Sequence, residues 1–585
     1  MMKRSILCLL GLSLAGLSAC SKTSSTTNTV TTVPAAMLVA GTYSPDSSII
    51  GSSNLKGSVA VTQTSLYYSN VGMVRFDDPW GSKEVTVDLG SYDSTANFGP
   101  NGSMTLVAET QNYPNAGGAY PVLTSFYANT NSGKIEYVNL TSACASSGMW
   151  TCSSGNCVEN SACTVQSSSA FGSRTDWDQH QVPPYGYSTT NAFPRCDSSL
   201  SPWACPGSGG LPTGHYYAKY LLLSDSGSSV ASQMANLKIT LSVKKDTAAR
   251  NTGATNGGIN LNLILVGDQN VNDSHTVKGA RNLNLLFKEV NRLFKTVSGA
   301  SLGISGIKIY EWSDANGGSQ YSQVNYQDLG SLFEAGSKGV DAGDSGNNIN
   351  IFLVSDIGYA GANFTILGVS GAILGPSINA TQTSGLAFSS FDQLATFNPN
   401  CTTNTCARTY QENDFLEMAA TIVHEMGHFL GLNHPSEKPD SGGAQTHDAL
   451  NDTPTCAART SGSGSKFLDQ RACYVNDTTT QAAPLSTHSC QTDCNAATNC
   501  SGGVNCYMTS TITSGAIDVD GTSGTVGLNG DMPKVFCPLV QECQFNHIMW
   551  YTTKNRQLKS GTWNEDGNLF SPRSSALLQW NSFVR

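Results

Sequence analysis

Apolar and polar residues alternate in short runs over the first part of the chain. In the clearest run, LKITLSV at 237–243, every second residue is apolar, which is the period of a strand with one buried face. Shorter strand-like runs at 58–61 and 84–89 are separated by turns rich in Gly, Asn and Ser. We therefore expect residues 37–245 to form an all-β domain.

The pattern changes after that domain. Residues 246–258 (DTAARNTGATNGG) contain few apolar residues and predict a linker. From Ile259, the run INLNLILVG predicts a strand. A helix should follow it, because apolar residues then recur at the spacing of one helical face. The residues of this face are Leu283, Leu286, Phe287, Val290, Leu293, Phe294 and Val297.

Further elements extend this mixed pattern. Residues 307–312 and 348–354 predict strands, and 364–374 predicts one or two more. A second helix should begin near Asp414, whose carboxylate can cap the free N–H groups, with Glu417 as a capping-box partner. The order strand, helix, strand, strand, helix predicts helices packed on a sheet, and many α/β domains share it.

The second helix carries the stretch VHEMGHFLGLNH. His424 and His428 are four residues apart, so both imidazoles project from one helical face and can share a metal ion. Glu425 follows the first of them and is placed to act as a general base. Gly431 can adopt the left-handed conformation that ends a helix, so that His434 supplies a third nitrogen. Three neutral imidazoles leave a zinc ion one open position, as a catalytic site requires.

This stretch resembles the H-E-x-x-H-x-x-G-x-x-H signature of the metzincin zinc peptidases. Histidine is only 9 of 585 residues, so surface histidines on an amphipathic helix explain the register less well. The resemblance implies Zn²⁺ bound by the three histidines and peptide hydrolysis with Glu425 as the base. The implied partners are protein or peptide substrates, which would lie extended along an edge strand within 364–374.

A second motif near the end of the chain supports the resemblance. HIMWY at 547–551 is similar to the metzincin Met-turn, in which the methionine, here Met549, lies beneath the zinc ligands. Tyr551 matches the position of a tyrosine that binds zinc or stabilises the tetrahedral intermediate in astacins and serralysins. The resemblance implies an α+β metzincin catalytic domain over 259–585, with a twisted sheet, an active-site helix and a Met-turn.

Within that class the chain is most similar to the pappalysin-like peptidases. DALNDTP, which begins at Asp448, resembles their D-x-x-x-D-T-P segment, and FSPR with the following LLQW resembles their closing helix. A proline directly after the third histidine, here Pro435, is more typical of the serralysins. Residues 436–545 are predicted to form a long Cys-rich insertion. Asp448 and Asp452 are candidate Ca²⁺ ligands by this resemblance, and a solvated pair in a turn explains them equally well.

The N terminus has the features of an export signal. A Lys-Arg pair precedes an apolar run at 6–16 that is too short to span a bilayer stably. LSAC then resembles the bacterial lipobox, in which the cysteine, here Cys20, receives a diacylglycerol. We expect a signal peptide at 1–19, a Ser/Thr-rich tether at 20–36 and a lipid anchor in a membrane. Ser rather than Asp after the cysteine implies a lipoprotein of the outer membrane or cell surface, with release after processing left open. A plain secretory signal cleaved near Ala19 is the alternative.

The cysteines and the charge agree with export. Apart from Cys8 and Cys20, the remaining sixteen of eighteen cysteines fall into a block of six at 144–205 and a block of ten at 401–543. This predicts disulfides, because a Cys-only zinc site would show repeated short pairs. The net charge of −10 argues against nucleic acid as a partner, since there is no excess of Lys and Arg to bind phosphates.

The first domain and the overall function each have two interpretations. Residues 37–245 are either a prodomain or a retained binding module. PRCD at 194–197 resembles the cysteine switch of matrixins, but Asp follows the cysteine and Cys205 is near enough for a disulfide, which favours a structural role. The alternative to an enzyme is a zinc-binding adhesin or scaffold with little turnover. The presence of Glu425 favours the enzyme.

Overall fold

The structure is a computed structural model that describes two sheets and the helices around the second. The described residues are 38–41, 43, 45–46, 49, 59–75, 83–99, 102–111, 119–139, 150–153, 156–159, 188–194, 211–224, 234–247, 255–267, 277–295, 300–340, 348–358, 366–389, 412–432, 459–460, 465–466, 472–474, 534–536, 578 and 581–584.

The first sheet has eight strands. They are β2 (Val59–Arg75), β3 (Val85–Tyr92), β4 (Ser103–Gln111), β5 (Ala119–Thr130), β6 (Gly133–Asn139), β9 (Ser188–Pro194), β10 (Gly214–Ser224) and β11 (Met234–Asp246). The order is β6-β5-β10-β2-β11-β4-β9, with β3 also on β10, and all pairs are antiparallel except β10 with β2. Inward-facing residues form one core, in which the rings of Phe126 and Phe193 stack 3.7 Å apart.

The second sheet has six strands in the order β1-β13-β12-β15-β18-β17. They are β1 (Val39–Ala40), β12 (Thr255–Val266), β13 (Ala300–Trp312), β15 (Ile349–Val354), β17 (Gly368–Ser370) and β18 (Leu386–Ser389). The four inner strands are parallel, and the edge strands β1 and β17 are antiparallel to their neighbours. Strand β12 begins at Thr255 and not at Ile259, so its first residues lie within the predicted linker at 246–258.

Helices cover both faces of the six-stranded sheet. They are α1 (Val277–Lys295), α2 (Ser319–Ser322), α3 (Leu329–Lys338) and α4 (Glu412–Phe429). On one face Leu261, Leu263 and Leu265 pack with α1 and α4, and on the other Ile264 and Val266 pack with α3. The apolar face predicted for α1 is buried from Leu283 to Phe294. Among the described residues, no helix is long and apolar enough to cross a membrane.

The remaining elements are short. Helical turns lie at Ser94–Phe98, Asp314–Asn316 and Tyr326–Asp328. Two-stranded pairs are formed by β7 (Trp150–Ser153) with β8 (Asn156–Glu159), β14 (Gln323–Asn325) with β16 (Asp356–Gly358), β19 (Arg459–Thr460) with β20 (Ser465–Lys466), and β21 (Ala472–Tyr474) with β22 (Lys534–Phe536).

The first described segment lies on the second sheet, although the sequence grouped it with the β-rich domain. Val39–Ala40 pairs with Tyr310 and Glu311 of β13, and Ile49 is buried in the core around α1. The side chain of Asn291 in α1 donates to the carbonyl of Ile49 over 2.7 Å. The described part of the chain therefore starts on the six-stranded sheet, continues through the eight-stranded sheet and then returns.

Candidate metal centre

Helix α4 is almost entirely enclosed. Every residue from Met418 to Leu432 is buried except Glu425, which is partly exposed. Apolar residues hold the helix against the sheet, including Ile422, Val423 and Met426, which are inaccessible to solvent. The helix begins at Glu412, two residues before Asp414, so Asp414 lies within its first turn and not at the predicted capping position. Glu425 is therefore the one side chain of this stretch that reaches solvent from a buried helix.

The helix ends as the position of Gly431 predicts. This glycine has φ +105°, a left-handed conformation that a side chain would strain. Its N–H donates to the carbonyl of His428 over 2.8 Å, and the N–H of Leu432 donates to the carbonyl of Gly427 over 2.9 Å. These two bonds form a Schellman motif, which pairs carbonyls that a helix end leaves without partners.

His424 and His428 lie side by side on one face of α4. Each is only 6% exposed, and their ring centroids are 4.7 Å apart with the planes nearly perpendicular at 89°. The spacing brings two imidazoles within reach of one ion while the surrounding helix excludes most of the solvent. This proximity is compatible with two ligands on one metal ion.

The tautomer of His428 follows from its hydrogen bond. Its Nδ1 lies 2.7 Å from the carbonyl oxygen of Leu432, and a carbonyl can only accept, so Nδ1 carries the hydrogen. In the neutral ring the lone pair is then on Nε2, which is the nitrogen that would bind a metal ion. The Schellman turn supplies this carbonyl, so the glycine that ends the helix also orients the histidine.

An edge strand passes close to Glu425. A Cβ added at Gly368 in β17 would lie 2.9 Å from both Glu425 Cγ and Thr421 Cγ2. Glycine therefore permits the backbone of β17 to approach the helix more closely than a side chain would allow. β17 lies within the predicted 364–374 segment and is the last strand of the sheet among the described strands.

The loop after β17 is attached to the end of α4. The N–H of Gly375 donates to the carbonyl of Phe429 over 2.7 Å, and a Cβ at Gly375 would overlap the Phe429 ring. Neither Gly368 nor Gly375 was expected to belong to the site. For Gly368, which lies within the predicted 364–374 segment, a glycine inside a strand was the available signal for a close backbone approach.

The other predicted site residues lie outside the part of the chain that the structure describes. These are His434, Met549, Tyr551, Asp448, Asp452 and Cys20. The side chains of Asp414, Glu417 and every cysteine are also beyond it. Within the described part, no group of three metal-binding side chains was found.

Comparison with known proteins gives no family for this chain. No family model matches it, and no curated protein matches it.

Proposed function

We propose that this chain is an exported, lipid-anchored zinc endopeptidase of the metzincin type, most similar to the pappalysin-like family. One observation carries the proposal. The buried pair His424 and His428 lies on one helical face, with His428 oriented by the carbonyl of Leu432. Two buried imidazoles beside a partly exposed carboxylate are an unusual way to fill a helix packed in a core, and they match a catalytic zinc site in residue type.

The residues present fit a zinc ion. His424 and His428 would provide two nitrogen ligands from α4, and His434, which follows the left-handed turn at Gly431, would provide the third. A bound zinc ion would supply Lewis acidity, which lowers the pKa of water and polarises a peptide carbonyl. Neutral nitrogen donors suit this task, because they leave most of the positive charge on the ion.

Glu425 acts as the general base. It accepts the proton of the attacking water and then delivers it to the amine that leaves when the peptide bond breaks. Its partial exposure on an otherwise buried helix supports this role, because a base must be accessible to water and substrate. We assign Tyr551 to stabilising the tetrahedral intermediate and Met549 to the apolar floor of the site.

The substrate binds as an extended strand along β17. β17 pairs with β18 through one edge, and an extended peptide can pair with the other edge. Gly368 supports this assignment, because it allows the strand to lie close to the side chain of Glu425. Main-chain pairing would then place the peptide bond to be cleaved beside the base.

Digestion of a peptide library tests the proposal. Wild type is compared with Glu425→Ala, with Glu109→Ala in the first sheet as the control, and zinc content is measured for all three. We expect wild type and control to hydrolyse peptides, and Glu425→Ala to retain zinc while losing hydrolysis by about a hundredfold or more. A wild type that holds zinc but cleaves nothing would support the adhesin or scaffold alternative.

Membrane fractionation tests the location. Cys20→Ala should move the protein from the membrane to the soluble fraction, because the acyl chains supply the attachment. Cys8→Ala, in the signal peptide, is the matched control. Persistence of Cys20→Ala in membranes washed with high salt would contradict the anchor.

A further inference from the structure

Lys244 is a fully buried lysine between the two sheets. It lies on β11 of the eight-stranded sheet with no exposed surface. Its Nζ donates to the carbonyl oxygens of Asn581 over 2.9 Å and of Val584 over 2.5 Å. Burying an ammonium group is costly unless it is hydrogen-bonded, so these contacts fix the strand relative to residues 581–584.

Residues 581–584 in turn contact the end of helix α4. The side chain of Asn581 donates to the carbonyl of Leu430 over 3.1 Å, which pairs one of the carbonyls that a helix end leaves open. The ring of Phe583 lies 5.4 Å from that of Phe429, and Val584 forms a β-bridge with Ile259 of β12. This segment therefore joins the strand, the second sheet and the end of the helix.

A second set of contacts connects the same surfaces. Ser242, two residues before Lys244 on β11, has its Oγ 2.9 Å from the Oγ of Ser377, and Gln63 of β2 donates to the carbonyl of Ser377 over 2.8 Å. The hydroxyls of Ser188 and Thr383 are 3.0 Å apart and buried. The loop that carries Ser377 and Thr383 is the one attached to Phe429 through Gly375.

We propose that Lys244 is a positioning residue for the metal centre. Through residues 581–584 it couples the eight-stranded sheet to the turn after Phe429, from which the chain continues to His434. The part of this statement that concerns zinc rests on the proposed function, and the mechanical coupling does not. The β-rich domain is then a permanent part of the active protein and not a prodomain that is discarded.

Amide hydrogen exchange on the full chain tests the coupling. Lys244→Met keeps an unbranched side chain that is one atom shorter and removes the ammonium group, and Lys245→Met, at the next position of the strand, is the control. We expect faster exchange at residues 429–432 and 581–584 in Lys244→Met and an unchanged rate in the control. Faster exchange confined to β11 and its neighbouring strands, or no change, would overturn the proposal.

A second variant keeps the test decisive if Lys244→Met does not fold. Asn581→Ala removes the contact with Leu430 and leaves the backbone carbonyl of residue 581 in place for Lys244. Exchange should rise at residues 430–432. An unchanged rate there means that the segment does not hold the helix end, and the proposal fails.

Zinc retention and protein mass test the consequence for the site. Against a competing chelator, Lys244→Met should lose zinc about tenfold faster than Lys245→Met, because residues 581–584, which contact the turn that leads to His434, have lost a charged hydrogen-bond donor. If wild type holds no zinc, the proposed function fails while hydrogen exchange still decides the coupling.

Mass spectrometry of the active protein should find residues 59–246. An active form that begins after Thr247, with no associated fragment, would overturn the proposal.

Discussion

The two sheets place their polar groups differently. The eight-stranded sheet carries partly exposed charged pairs, such as Lys134 with Glu136 at 2.8 Å and His215 with Asp88 at 2.6 Å. On the six-stranded sheet both faces are covered, and β15 is buried along its whole length. Its polar side chains must find partners inside the protein, because water does not reach them.

Those partners form a chain of asparagines across the second sheet. Asn348 donates to Asn262 over 2.8 Å, Asn262 donates to Asn350 over 2.9 Å, and Asn350 donates to Asn379 over 2.8 Å. Asn350 also donates to the carbonyl of Ser384 over 2.9 Å. These hydrogen-bonded asparagines connect the parallel strands β12 and β15 with the loop that follows β17. They thereby hold in place the loop that contacts the end of α4.

The difference indicates where chemistry is located. A charge at a solvent-exposed position is screened by water and contributes little to stability. A polar group on a sheet that is covered on both faces needs a hydrogen-bond partner inside the protein. His424 and His428 are buried polar groups of this second kind. Lys244 is a buried polar group on the eight-stranded sheet, at its contact with the six-stranded sheet. If this comparison is right, matched substitutions in the two regions will have very different effects.

The largest contrast is expected between two histidines. His428→Ala should lose bound zinc and lower hydrolysis by more than about a hundredfold. Removing a group that only hydrogen-bonds a metal ligand already costs about tenfold to a hundredfold, and removing the ligand itself should cost more. His215→Ala, on the first sheet, should retain bound zinc and the wild-type rate of hydrolysis. Zinc content by emission spectroscopy and peptide hydrolysis measure the difference, and equal zinc content in the two variants would break the comparison.

Two glycines provide a smaller contrast in activity. Gly368→Ala should lower kcat/KM by about tenfold to a hundredfold, because the new methyl group displaces β17 or Glu425. Gly358→Ala is the control, since its Cβ would meet only Asn325 Oδ1 at 3.5 Å, an ordinary contact. Wild-type kinetics for Gly368→Ala would show that β17 does not determine how substrate meets the base.

Stability should also differ between the sheets. Asn350→Ala leaves buried groups of Asn262, Asn379 and Ser384 without their partner, and we expect a loss of about 2–3 kcal/mol in the free energy of unfolding. Lys134→Ala removes a pair at the surface and should cost no more than about 0.5 kcal/mol. Urea unfolding followed by fluorescence compares them, and similar losses would contradict the contrast.

The smallest effect is expected at Asp88. The hydrogen bond from His215 is the main reason that the pKa of this carboxyl lies below its ordinary value. A lowered pKa in the folded state stabilises the protein above the unfolded pKa, and this contribution is lost as pH falls through the folded pKa. His215→Asn should raise the pKa of Asp88, measured by NMR titration. An unchanged pKa would show that the pair contributes nothing.

Elements with a local pattern were the ones that the sequence could predict. The apolar residues from Leu283 to Phe294 define a helical face without reference to the rest of the chain, and Gly431 ends α4 with the left-handed conformation expected of it. The strand LKITLSV was predicted to have one buried face. In the structure Thr240, Ser242 and Lys244 on its polar side are buried as well.

The features that could not be predicted depend on distant segments. The polar side of β11 is covered by Ser377 and by residues 581–584, which lie more than a hundred residues away in sequence and leave no local pattern on the strand. Val39–Ala40 joins the second sheet through a partner strand that is equally remote. The position of Gly368 over Glu425 likewise follows from packing and not from either residue's neighbours.

Zinc K-edge X-ray absorption of the purified protein tests whether His424, His428 and His434 hold a catalytic zinc ion. The spectrum should show imidazole nitrogens and a further light ligand at about 2.0 Å, and no sulfur. His434→Ala should reduce the imidazole contribution. A spectrum dominated by sulfur at about 2.3 Å would assign the metal to the cysteines instead, and a protein that retains no zinc would contradict the claim outright.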